Sequence, residues 1–251
     1  MAPRRRVRRA ALAAAALSVG LFGAAVRAGP PYATDDPEPT ELGHWEIYAF
    51  SAASGAHRDW DADAGLDLNY GAVEGVQLTA TLPVSFSHEG GSGRTRSGAG
   101  DVEFGVKYRF LSQDRDGVDA AIFPRVILPT GGHRFGTGRA SYLLPLWLER
   151  DFGRWSLFGG GGYTINPGAG NRNSWQGGVA VTRAVSKRLS LGGEATIEGA
   201  DAVGGHRTSA LDLGGIYKLS GPFSLLVSGG PTWEHRGASG WRGYAALGIS
   251  F

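Results

Sequence analysis

The charged residues of this 251-residue chain fall into runs of even spacing. Asp61, Asp63 and Asp67 are separated by two and four residues, and so are Asp101, Glu103, Lys107 and Arg109. On a β-strand, alternate side chains point to one face, so each run occupies a single surface. Carrying that parity into the neighbouring segments adds Arg125, Glu149, Glu194, Glu198, Asp212, Lys218 and Arg242 to the same surface. Carboxylates and cations at this density can fill a closed interior with ion pairs and hydrogen bonds. They can equally line a narrow polar pore with acidic and basic sides. Both readings stay open on the sequence.

Other chemistries find little support. His88 with Ser85 and Ser87 is the one Ser/His grouping that could suggest a hydrolase. On a strand both serines lie on the face opposite His88, so neither can pass it a proton. No Gly-x-Ser-x-Gly elbow is present, and no catalytic activity is expected. His57, His88, His133, His206 and His235 sit in or beside polar connections without metal-motif spacing, so neither a metal nor a cofactor is expected. The glycine runs at 90–93 and 159–162 lack the Lys-Ser/Thr that completes a phosphate loop. With no cysteine, disulfides and thiolate sites are excluded.

The elements that must position these residues are strands. From Asp59 to Tyr70 apolar and polar residues alternate, and they do so again over Val76–Phe86 and Asp101–Phe110, a period of two rather than the 3.6 of a helix. Further segments run over 44–54, 118–129, 139–150, 155–164, 174–185, 189–199, 208–219, 223–230 and 241–251, giving about twelve in all. Each is long enough to cross a hydrocarbon layer at a tilt. Past the first 28 residues no apolar run reaches the length of a spanning helix, so a membrane location requires a closed barrel. The expected fold is therefore all-β: a transmembrane antiparallel β-barrel of about twelve strands over residues 43–251.

The connections sort as such a barrel demands. Short ones (71–75, 111–117, 151–154, 186–188, 220–222) alternate with mostly longer ones (88–100, 130–138, 165–173, 200–207, 231–240). Tyr70, Phe110, Trp155, Phe223 and Phe251 fall at the short-turn rim, and Trp60, Phe86, Tyr142, Trp175 and Trp241 at the other, as two interfacial girdles. Pro83, Pro124 and Pro145 lie inside strand segments and cannot donate to a ladder, so bulges or breaks are expected there.

Residues 1–28 read as a cleavable signal peptide. Arg4, Arg5, Arg6, Arg8 and Arg9 precede an Ala/Leu-rich run over 10–26, and Val26 and Ala28 fit the −3 and −1 positions of a cleavage site. Cleavage removes six of the 25 basic residues and none of the 23 acidic ones, leaving a net charge of −4 and no basic surplus for nucleic acid. The segment at 29–42 is acidic and proline-rich. A terminus of this kind is by default a loose periplasmic tail. Complementary charge at the same end of the barrel supports the sharper expectation that it folds into the inner mouth as a plug, with Asp35 and Asp36 near Lys107 and Arg109.

The stretches PYATDDPEPTELGHWE, GDVEFGVKYRF, LPTGG, LPLWLERDFGRWSLFGGGGY and NPGAGNRN make the chain similar to the bacterial outer-membrane family named for the meta-pathway of phenol degradation. That resemblance covers nearly all of the mature chain and implies a transporter-like barrel in a Gram-negative outer membrane, with aromatic compounds as the suggested cargo. The expected partners are outer-membrane lipid, the barrel-insertion machinery through the terminal Phe251, and a small aromatic solute. The alternative is a plugged structural barrel, or one that binds through its surface loops, without transport.

Overall fold

The computed structural model describes residues 31–132, 134–235 and 239–251. The expected signal peptide lies outside the described residues. The strands are β1 (Trp45–Ala56), β2 (Asp59–Val73), β3 (Val76–Glu89), β4 (Arg94–Ala99), β5 (Val102–Leu111), β6 (Asp119–Ile122), β7 (Arg125–Leu128), β8 (Ser141–Phe152), β9 (Trp155–Ile165), β10 (Ser174–Ala184), β11 (Leu189–Glu198), β12 (Thr208–Lys218), β13 (Phe223–Glu234) and β14 (Ser239–Ser250). A one-turn helix, α1 (Gln113–Asp116), sits in one short connection.

These segments make a closed barrel with twelve staves. β4 and β5 are two halves of one stave, since β3 pairs with β5 over Val76–Thr81 and with β4 over Val84–Glu89. β6 and β7 divide another, both lying between β5 and β8. The ring closes where β1 runs antiparallel to β14, from Glu46 opposite Ser250 to Gly55 opposite Trp241. Phe251 completes that seam, exchanging backbone hydrogen bonds of 2.8 and 3.0 Å with Trp45. Around the closed ring the ladders satisfy the backbone groups that lipid cannot, while β4, toward the longer loops, is paired with β3.

The radial distribution of side chains is inverted relative to a water-soluble protein. On β8, Tyr142, Leu144, Leu146 and Leu148 are exposed while Ser141, Leu143, Trp147 and Glu149 between them are buried. The buried polar residues Asn69, Gln77, Lys107, Glu149, Glu194 and Asp212 lie on the inside, and large apolar side chains cover the outside. Apolar-out, polar-in alternation is the pattern of a barrel solvated by lipid.

Three details differ from the sequence reading. The extended strands of β2 and β3 reduce the expected turn at 71–75 to Glu74–Gly75, with Gly75 at φ 75° and a bulge near Gly71. The polar stretch at 88–100 is largely strand, its turn confined to 90–93, and β13 and β14 reach into the expected 231–240 connection, to Glu234 and from Ser239. Of the prolines, Pro124 lies in the break between β6 and β7, whereas Pro83 and Pro145 stay within β3 and β8. Each of those two faces a break in the next stave: Gly100 N donates to Pro83 O at 3.0 Å, and Phe123 N to Pro145 O at 3.2 Å. The missing donors are thus accommodated by interrupting the neighbour rather than the proline's own strand.

Candidate functional site

Residues 31–40 form no ladder, which suits a segment carrying Pro31, Pro37 and Pro39. They lie within the barrel, with Thr34, Asp36 and Thr40 nearly inaccessible. The wall supplies acceptors for their backbone. Ala33 N and Thr34 N donate to the two carboxylate oxygens of Glu194, each at 2.8 Å. Thr40 N donates to Gln77 Oε1 at 2.8 Å, and Gln77 Nε2 in turn donates to Asn69 Oδ1 at 2.7 Å and Thr79 Oγ1 at 2.9 Å. Ser228 Oγ donates to Pro31 O at 2.5 Å.

Between these anchors lies the main ion-pair cluster. Lys107 Nζ stands 3.0 Å from Asp35 Oδ1 and 3.5 Å from Asp36 Oδ1, and it donates to Asp36 O at 2.8 Å. Arg125 Nη2 reaches the other oxygen, Asp35 Oδ2, at 2.9 Å. Arg125 also lies 4.1 Å from the centre of the Phe123 ring. Lys107 is only 4% exposed. Removing a partner from a buried charge of this kind typically costs about 3–5 kcal/mol. Burial pushes the Asp36 carboxyl up to about 7 against the pull of Lys107, and raises the Tyr32 phenol to about 12, with Glu194 and Asp212 adding to the effect. The neutral phenol therefore persists throughout the physiological range.

Glycines on the inner wall make room for the segment. A Cβ on Gly178 would stand 2.2 Å from Thr34 Oγ1, whereas one on Gly192 would first meet the wall at Val181 O, 2.4 Å away, and then the Tyr32 hydroxyl at 2.8 Å. Any larger residue at Gly178 would intrude on the segment itself. Tyr32 and Ala33 border two cavities. One, of about 880 Å³, reaches the short-turn end past Lys187 and Pro222. The other, of about 580 Å³, opens toward the longer loops past Asp61, Asp63, Arg134 and Phe135. The segment therefore lies across the lumen between them.

The residues singled out by parity have the following settings. Lys107, Arg125 and Glu194 contact the segment directly, and Glu103 pairs with Arg125 at 3.4 Å. Arg242 Nε donates to Asp212 at 2.7 Å, and Arg242 Nη2 lies 3.2 Å from Glu194. Asp67 accepts from Thr81 at 3.3 Å, and Asp63 from Ser85 at 2.5 Å, while Asp61 borders the outer cavity. Glu149 is held by Ser156. Asp101 instead ties down a loop, accepting from Gly131 N and Thr137 N, each at 2.8 Å. Arg109 sits at the inner mouth, 3.4 Å from Asp119 and 3.9 Å from Glu38, so Asp35 is met by Arg125 rather than by Arg109. Gln77, Gly178 and Gly192 carry no charge and so fall outside the parity pattern of the charged residues. An uncharged amide on the inward parity of β3 was the available signal for Gln77, and nothing local marks the two glycines.

The fold matches solved outer-membrane barrels. An outer membrane channel from Pseudomonas putida F1 is 13% identical, with a TM-score of 0.67 over 86% of this chain and 98% of that one. The KdgM porin, solved with disordered oligogalacturonate, is 12% identical, with a TM-score of 0.53 over 82% and 99%. CymD, described as a monoaromatic hydrocarbon channel, is 8% identical, with a TM-score of 0.51 over 85% and 89%. No curated protein sequence matches the chain. Residues 35–251 match the family described as "Putative MetA-pathway of phenol degradation", and the chain belongs to that family.

Proposed function

We propose that this barrel is an outer-membrane channel for small solutes, closed at rest by its own residues 31–40. The observation that carries the reading is the position of that segment across the lumen, fixed by Lys107 and Arg125 at one point and Glu194 at another. A permanently filled structural barrel would need no separate, ungapped chain segment to occupy its interior. A twelve-stave ring is also wider than the eight-strand barrels that side chains fill unaided. The charged inner residues then serve two purposes, as the latch for the plug and as the lining of the opened pore. Small aromatic molecules are the solute class we assign, in keeping with the family's description and with CymD. The surroundings implied are outer-membrane lipid around the apolar belt and the insertion machinery acting on the strand that ends in Phe251.

Gly178→Val tests this reading. The added side chain meets Thr34 on the lumen side, where the plug rather than the ladder must yield. In planar bilayers the wild-type channel is expected to be mostly closed, and the variant to stay open with an open probability about tenfold higher, a shift of about 1.4 kcal/mol. Equal, near-silent traces from both proteins would favour the closed structural barrel.

A further inference from the structure

Asp35 is held in an unusual way. Each oxygen of its carboxylate meets a different cation of the wall, Lys107 at 3.0 Å and Arg125 at 2.9 Å. The Phe123 ring lies beside both, 5.1 Å from Lys107 Nζ and 4.1 Å from Arg125, and Gly105 leaves space for that ring. Arg125 Nε is buried without a partner. The barrel wall therefore contains a preformed site for one carboxylate, and the molecule fills it with a residue from a tethered segment. If the segment leaves, Arg125 keeps Glu103 at 3.4 Å, and Lys107 loses its paired carboxylates. Such a pair of cations in a confined lumen favours replacement by another carboxylate over exposure to water alone. The 880 Å³ cavity borders Asp35, Lys107, Phe123 and Arg125, so a ring-sized solute can reach the site from the short-turn end.

We infer that Lys107 and Arg125 form a binding site for small organic carboxylates, occupied at rest by Asp35, and that such a solute opens the lumen by displacing the plug. The inference rests on the closed-channel reading and adds to it the chemical class of the opening solute. A tethered carboxylate competes at an effective concentration in the millimolar range, so solute concentrations of that order are required.

The test compares benzoate with benzyl alcohol, which shares the ring and lacks the charge, on the full-length protein. Benzoate is expected to raise the open probability by about tenfold, benzyl alcohol to leave it unchanged, and a double K107Q/R125Q variant to lose the benzoate response. Calorimetry supplies a measurement independent of current: Asp35→Ala removes the carboxylate that bridges Lys107 and Arg125, leaving Asp36 3.5 Å from Lys107, and should bind benzoate about tenfold more tightly than wild type. Retained heat-modifiable migration in gels confirms that each variant is folded. An equal response to benzyl alcohol, or benzoate binding unaffected by Asp35→Ala and by K107Q/R125Q, overturns the carboxylate site while leaving the channel intact. Absence of current in every variant, alongside tight benzoate binding to Asp35→Ala, overturns the channel reading and retains the site.

Discussion

Deleting residues 31–41 is expected to turn a slow pore into a fast one. Proteoliposomes carrying the deletion variant should swell in small sugars at roughly ten times the wild-type rate or more, given the width of a twelve-strand ring. The two cavities, about 880 and 580 Å³, would merge once Tyr32 and Ala33 no longer separate them. The barrel itself should persist, because its ladders, from the β1–β14 seam onward, are made without the segment. A variant that folds yet swells no faster than wild type would show that something other than residues 31–41 limits flux.

The second large effect concerns the outer wall. Leu146, on the exposed face of β8, is expected to tolerate Arg poorly, at a cost of about 2–4 kcal/mol for a cation near the bilayer midplane. Urea titration of folding into lipid vesicles reads this as a loss of folded fraction. The natural Arg150 shows where a cation is accommodated on the same strand: it lies near the short-turn rim and covers the Phe152 ring at 5.3 Å. If Leu146→Arg folds as well as wild type, the exposed band is not the lipid face.

Much of this architecture follows from parity alone. The period-two pattern separates inward Glu149 and Trp147 from outward Leu146 and Leu148 without any knowledge of pairing. Charge complementarity likewise brings Asp35 toward the cations of the Asp101–Phe110 stretch. The choice among those cations depends on the stagger between staves, which local sequence does not encode. β5 and β7 pair with Gly105 opposite Arg125, bringing Arg125 to the level of the Lys107 cluster, while Arg109 lies farther along the strand beside Asp119. The prolines show the same division. Each announces a missing donor, but only the register reveals that Pro83 and Pro145 face breaks in their neighbours. The seat at Gly178 is the extreme case, since a glycine carries no record of what passes over it.

Thiol modification at Thr34 tests the central claim most directly, because the chain contains no other cysteine. Thr34 is 1% exposed, packed between the segment's anchor on Glu194 and the wall at Gly178. In the folded barrel, Thr34→Cys should react with a hydrophilic maleimide roughly a hundredfold more slowly than a cysteine placed at Gly91 in the exposed turn, reflecting a docked state favoured by about 2–3 kcal/mol. Combining it with Lys107→Gln should remove most of that protection. Equal rates at the two positions in the otherwise wild-type protein would mean that the lumen is not closed by this segment.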